Sequence, residues 1–141
     1  MAEPLVGRCL CRAVTITVAT HRPEVGACHC GMCQRWSGAA YFMFTAPPEA
    51  VRIEGPVTEY RSSSFATRAF CGTCGSPLWL RDDGSDYELM PGLFPGAKDF
   101  PLVSEVYADR RLASVQLAGD HRRATAAEYE ASHPFVDGSE T

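Results

Sequence analysis

The sequence lacks three features that would place it among nucleic-acid-binding, secreted or membrane-spanning proteins. Its formal net charge of -4 provides no basic surface of the kind that neutralises phosphates. No basic start followed by an apolar run occurs at the beginning of the chain, and no stretch approaches the roughly 20 apolar residues of a membrane span. We therefore expect a cytoplasmic protein with no nucleic-acid or membrane partner.

The sequence also lacks an even number of cysteines, an internal repeat and a low-complexity tract. Its seven cysteines cannot all pair as disulfides, and a reducing compartment would keep their thiols free for metal. The chain has 141 residues and 45% hydrophobic content, which suits one ordinary domain with its own core. We expect a single domain over residues 1–141.

Short strands bounded by turns dominate the pattern along the chain. Residues 13–18 alternate apolar and hydroxyl side chains, the period-2 pattern of a half-buried strand. Further strand-like runs occur at 40–45, 51–53, 58–61, 66–70, 78–80 and 87–90. Strands do not alternate with long helices, so nothing suggests a parallel sheet. The sequence predicts a mainly β, antiparallel fold.

One helix is predicted, at 125–132 near the C-terminal end. Thr125 is placed to cap it, with Glu128 three residues later as a capping-box partner and Pro134 beyond its end. The last residues, from Val136 onward, are expected to fray.

All seven cysteines fall in three clusters with the spacing of metal ligands. The clusters are Cys9-Leu10-Cys11, Cys28-His29-Cys30-Gly31-Met32-Cys33 and Cys71-Gly72-Thr73-Cys74. Residues two apart in an extended segment point to the same side, so Cys9 and Cys11 can reach one ion while Leu10 faces away. A Cys-x-x-Cys turn brings two sulfurs to one tetrahedral ion. Thiolate ligands favour zinc, or an iron–sulfur cluster, over magnesium or calcium.

The number of cysteines suits two zinc ions per chain. A closed structural zinc takes four ligands, whereas a site for an exogenous ligand keeps three protein ligands and one open position. The cluster Cys28, Cys30, Cys33 already supplies three ligands, which would leave the two pairs to join each other, although spacing alone does not prove which clusters combine. The alternatives are buried or disulfide-paired thiols, and a second site closed by His21, His121 or His133.

The clusters and their flanks, Gly7–Cys11, Cys28–Cys33 and Phe70–Leu78, resemble the glutathione-dependent formaldehyde-activating enzyme family, which includes centromere protein V. The resemblance extends over about residues 7–117 and leaves a tail at 118–141. It implies a β-tent of short antiparallel sheets. It also implies a structural zinc at Cys9, Cys11, Cys71 and Cys74, and a second, open zinc at Cys28, Cys30 and Cys33.

The activity that the resemblance implies is condensation of formaldehyde with glutathione to S-(hydroxymethyl)glutathione, classed with the carbon–sulfur lyases. A zinc with three thiolates carries a net charge of about -1, so it activates water poorly but can take a fourth sulfur. A substrate thiol held there would be acidified and could attack a small aldehyde. Arg35 could hold a substrate carboxylate, and Ser37 could donate a hydrogen bond.

Each of these interpretations has an alternative. Arg35 would otherwise be a solvated surface arginine, Ser37 part of an ordinary turn, and Trp36 and Tyr41 core residues rather than walls of a pocket. A zinc-stabilised protein-interaction module with no catalytic activity would have both metal sites closed. A redox switch would use the second cluster as reactive thiols. The acidic charge and the short chain favour the enzyme.

Overall fold

The structure, a computed structural model, describes residues 3–136. Over this range the strands are β1 (Leu5–Arg8), β2 (Thr15–Val18), β3 (Val25–Cys28), β4 (Tyr41–Ala46), β5 (Val51–Glu54), β6 (Val57–Arg61), β7 (Ala66–Cys71), β8 (Pro77–Asp82), β9 (Tyr87–Leu89), β10 (Leu102–Val106) and β11 (Arg122–Ala124). The helices are α1 (Gly31–Ser37) and α2 (Ala126–Ser132). The predicted mainly β fold of short sheets is confirmed. No described helix has both the length and the apolarity needed to cross a membrane.

The chain divides into two compact units. The first contains the residues up to Pro23 together with Met43–Phe100, and the second contains Glu24–Phe42 and the residues from Pro101 onward. The expectation of a single domain over 1–141 stays a prediction. The part of the predicted frayed end that follows Val136 lies outside the described residues.

The first unit is built from antiparallel strands, as predicted. One sheet has the order β1-β2-β5. The strands β4, β9, β8, β7 and β6 are hydrogen-bonded to one another in that order. The predicted strand boundaries agree with the observed ones to within two residues. The core of this unit includes Phe44, Leu78 and Phe94, each at most 1% exposed, with the rings of Phe44 and Phe94 edge to face at 5.1 Å. Such aromatic pairs add specific geometry to the burial of apolar surface.

The second unit departs from the antiparallel prediction. Strand β10 pairs in parallel with β3 on one side and with β11 on the other. In the register, Glu105 lies opposite Ala27, and Val106 lies opposite Cys28. The three strands are short and far apart in sequence, so no local turn pattern indicates that they pair. The prediction of antiparallel sheets alone was therefore wrong here.

The sequence predicts one of the two helices but not the other. Helix α2 has the predicted capping box: the Thr125 hydroxyl accepts from the Glu128 N–H at 3.1 Å, and the Glu128 carboxylate accepts from the Thr125 N–H at 2.9 Å. Helix α1 was not predicted. It begins after Cys30, whose Sγ accepts from the Cys33 N–H at 3.3 Å, and it ends at Gly38 with φ at +97°. The sequence predicted one helix, whereas the described residues form two. Helix α1 was missed because its capping atom is a sulfur, which is not one of the usual N-cap groups.

Candidate metal centres

The first cysteine group, here called the four-cysteine site, lies within the first unit. Its members are Cys9, Cys11, Cys71 and Cys74, and their four sulfurs all lie within 4.8 Å of one another. The Sγ of Cys11 is 3.6 Å from that of Cys9 and 3.8 Å from that of Cys71. A tetrahedral zinc with Zn–S bonds near 2.3 Å places its sulfurs about 3.8 Å apart. The four side chains therefore fit a closed zinc site.

Backbone and hydroxyl donors surround the sulfurs of this site. The Sγ of Cys71 accepts from the N–H groups of Thr73 and Cys74 at 3.3 and 3.4 Å, and the turn continues through Gly75 at φ +79°. The Ser76 hydroxyl lies 3.1 Å from the Cys74 sulfur, and its hydrogen bond is the main cause that lowers the pKa of Cys74 to about 5. Donors of this kind favour the thiolate, which is the form that binds metal.

The second group, here called the three-cysteine site, lies within the second unit. Cys28 ends β3, Cys30 caps α1 and Cys33 lies in its first turn, and their sulfurs all lie within 4.8 Å of one another. Hydrogen bonding with the Cys30 thiol and then with the Cys33 thiol raises the pKa of Cys28 well above its ordinary value. Three convergent thiols are ligands that a soft divalent cation prefers, and binding the cation would displace the shared protons, so the donor set fits a metal.

No histidine completes the three-cysteine site among residues 3–136, where the group contains no fourth His, Cys, Asp or Glu. The three candidates have other contacts. His21 stacks on Phe100 at 5.2 Å, His133 stacks on Tyr129 at 3.9 Å, and His121 hydrogen-bonds to Glu105. The seven cysteines all lie in the described range and form no disulfide there, which leaves the disulfide alternative without support.

The other predicted residues of this region lie on α1 or beside it. Arg35 is exposed, as a solvated arginine would be. The Ser37 hydroxyl donates to the carbonyl oxygens of Cys33 at 2.6 Å and Ala40 at 2.8 Å, so the backbone already engages the donor that was considered for a substrate. The rings of Trp36 and Tyr41 lie 5.3 Å apart, and Tyr41 is fully buried, which is the expected core role.

Sequence analysis missed a buried carboxylate in the second unit, that of Glu105, which is 2% exposed. Its oxygens accept from the Nε2 of His29 at 2.7 Å, from the Nε2 of His121 and from the Nε of Arg123 at 3.1 Å. Burial raises the pKa of Glu105, but the hydrogen bonds from His121 and His29 outweigh burial and lower it. The available signal was the single acidic residue within the apolar run of β10.

The comparisons with known proteins agree with this geometry. The sequence profile of the glutathione-dependent formaldehyde-activating enzyme family matches residues 4–110. An uncharacterized lyase of Schizosaccharomyces pombe is 32% identical over 107 residues, which cover 73% of this chain and 77% of that protein. A crystal structure of a Rhodobacter sphaeroides protein has a similar fold, with a TM-score of 0.57 and 22% identity over 70% of this chain and 99% of that one. The chain belongs to the glutathione-dependent formaldehyde-activating enzyme family.

Proposed function

We propose that this protein is a zinc-dependent, carbon–sulfur lyase-type enzyme that joins a thiol such as glutathione to a small aldehyde such as formaldehyde. The observation that carries the proposal is the three-cysteine site, in which three sulfurs converge without a fourth described ligand. The family match to residues 4–110 and the lyase name of the Schizosaccharomyces pombe relative support the same reaction class. The four-cysteine site would hold the second, structural zinc.

The reaction is a simple addition. A bond forms between the thiol sulfur and the aldehyde carbon, and the thiol proton ends on the aldehyde oxygen. No atom changes its oxidation state overall, so no electron carrier is required. Zinc at the three-cysteine site, when bound, would supply a position at which an incoming thiol is acidified and oriented.

The chain's own part in this reaction is to keep the three sulfurs convergent. The Cys30 sulfur accepts from the Cys33 N–H at 3.3 Å, which fixes the start of α1. The Gln34 side-chain amide donates to the carbonyl oxygens of His29 at 2.7 Å and Arg110 at 2.8 Å. These bonds hold the ligand-bearing backbone in one geometry, which pre-organises the site before a substrate arrives.

Arg35 keeps its proposed role of holding a substrate carboxylate. It lies two residues after Cys33 on α1, and no described residue hydrogen-bonds or ion-pairs with its guanidinium. A planar guanidinium suits a carboxylate because it can donate two parallel hydrogen bonds. Glutathione has two carboxylates, so it would gain more from this contact than a neutral thiol.

The test is the rate of adduct formation, followed by NMR with ¹³C-labelled formaldehyde and glutathione against the uncatalysed reaction. We expect the zinc-loaded protein to accelerate the reaction and Cys33→Ser to lose at least about tenfold of that acceleration, since one zinc ligand is replaced. Met32→Leu, which changes a neighbour that is no ligand, should retain it. A doubly loaded wild type with no acceleration would refute the proposal and favour the interaction module.

A further inference from the structure

The second unit contains a polar cluster that the proposed reaction does not use directly. It consists of the buried side chains of His29, Glu105 and His121 and the part-exposed side chain of Arg123. Glu105 is 2% exposed, and the side chains of His29 and His121 are 0% and 3% exposed. A buried carboxylate is costly unless its oxygens are hydrogen-bonded. Three donors from two segments, His29 on one and His121 with Arg123 on the other, satisfy it here. The fold therefore positions these donors so that they stabilise the buried carboxylate of Glu105.

His29 links this cluster to the three-cysteine site through the main chain. It lies between Cys28 and Cys30, and its N–H continues the ladder by donating to the Val106 carbonyl at 3.1 Å. Side chains alternate along a strand, and Cys28 lies opposite Val106 whereas Ala27 lies opposite Glu105. His29 and Glu105 thus share the face away from Cys28.

The His29 ring has one polar anchor. Its Nε2 donates to Glu105 at 2.7 Å, while its buried Nδ1 has no hydrogen-bond partner among residues 3–136. Glu105 in turn is held by His121 and by Arg123, the latter from β11. The orientation of the His29 ring therefore depends on Glu105.

We infer that Glu105 is a positioning residue for the three-cysteine site, which fixes the Cys28–Cys30 segment through His29 so that the sulfurs keep the geometry a metal requires. The inference rests on the proposed metal at that site. Outer groups that orient ligands commonly alter metal affinity by about 10- to 100-fold when they are mutated. Glu105 acts here on the backbone of the ligands and makes no contact of its own with the metal.

The test is metal binding by the full chain loaded with cobalt(II). Glu105→Gln should lower the cobalt affinity of the three-cysteine site by about 10- to 100-fold, shift its ligand-field absorption at saturating cobalt, and leave the affinity of the four-cysteine site unchanged. The matched control is Asp83→Asn, which also turns a carboxylate into an amide but at an exposed pair with Arg61. The control should change neither site.

Three outcomes would overturn the inference. A folded Glu105→Gln protein with wild-type affinity and absorption at the three-cysteine site would do so, as would one with a lower Tm but an unchanged ligand-field spectrum, since Glu105 would then only stabilise the fold. A wild type that binds one cobalt per chain would remove the proposed function as well. If Glu105→Gln does not fold, His29→Phe replaces it, because it removes the hydrogen bond to Glu105 through which the inference acts. A wild-type spectrum and affinity in that variant would also overturn the inference.

Discussion

At the scale of single residues, burial and hydrogen bonding separate side chains that look alike in the sequence. Ser37 and Arg35 are both polar neighbours of Cys33, yet the Ser37 hydroxyl is engaged by two carbonyl oxygens whereas Arg35 is exposed. Glu105 differs from both. A sequence pattern would place an acidic residue at the surface, whereas Glu105 is 2% exposed. Removing one partner of such a buried charge typically costs about 3–5 kcal/mol.

Arg35 gives a prediction at this scale. Arg35→Ala should weaken binding of glutathione by about tenfold, since it would remove the proposed charge-assisted hydrogen bond at an exposed position, and it should leave 2-mercaptoethanol binding unchanged. The measurement is a titration of the cobalt-loaded protein with each thiol. Arg52→Ala removes an exposed arginine from β5 and serves as the control. Equal losses for both thiols, or no loss for either, would exclude a carboxylate contact.

At the scale of elements, the capping residues explain why the sequence predicts α2 but not α1. Helix α2 is predictable because Thr125 and Glu128 form a capping box that any sequence displays at fixed spacing. Helix α1 is hidden because Cys30, a residue type outside the usual capping set, provides the N-cap. The parallel pairs of β10 with β3 and β11 are hidden for another reason, since their pairing depends on segments remote in the sequence.

The capping box allows a direct test of the element. Thr125→Ala should lower the free energy of unfolding by about 1 kcal/mol because the Glu128 N–H loses its acceptor, while Thr125→Ser should retain most of the stability. Thermal unfolding at saturating zinc measures both variants. A Thr125→Ala protein as stable as wild type would show that α2 does not depend on this cap.

At the scale of the whole molecule, the cysteines were the most predictable part and the residues behind them the least. Cys9, Cys11, Cys71 and Cys74 form two pairs that each lie at ligand spacing, and the structure brings the two pairs together, which spacing alone did not prove. The triad of Cys28, Cys30 and Cys33 is local in sequence and is found as expected. Glu105 meets His29 and Arg123 through the parallel pairing of the second unit, which no periodicity reveals.

The most direct test of the central claim is a titration of the cobalt-substituted protein with glutathione, following cobalt stoichiometry and sulfur-to-cobalt absorption. We predict two cobalt ions per chain, with a saturable change in the absorption of one of them as the thiol sulfur enters the three-cysteine site. Two tetrahedral cobalt ions whose absorption is indifferent to glutathione and to smaller thiols would mean that both sites are closed. That result would contradict the proposed enzymatic function and favour a zinc-stabilised interaction module.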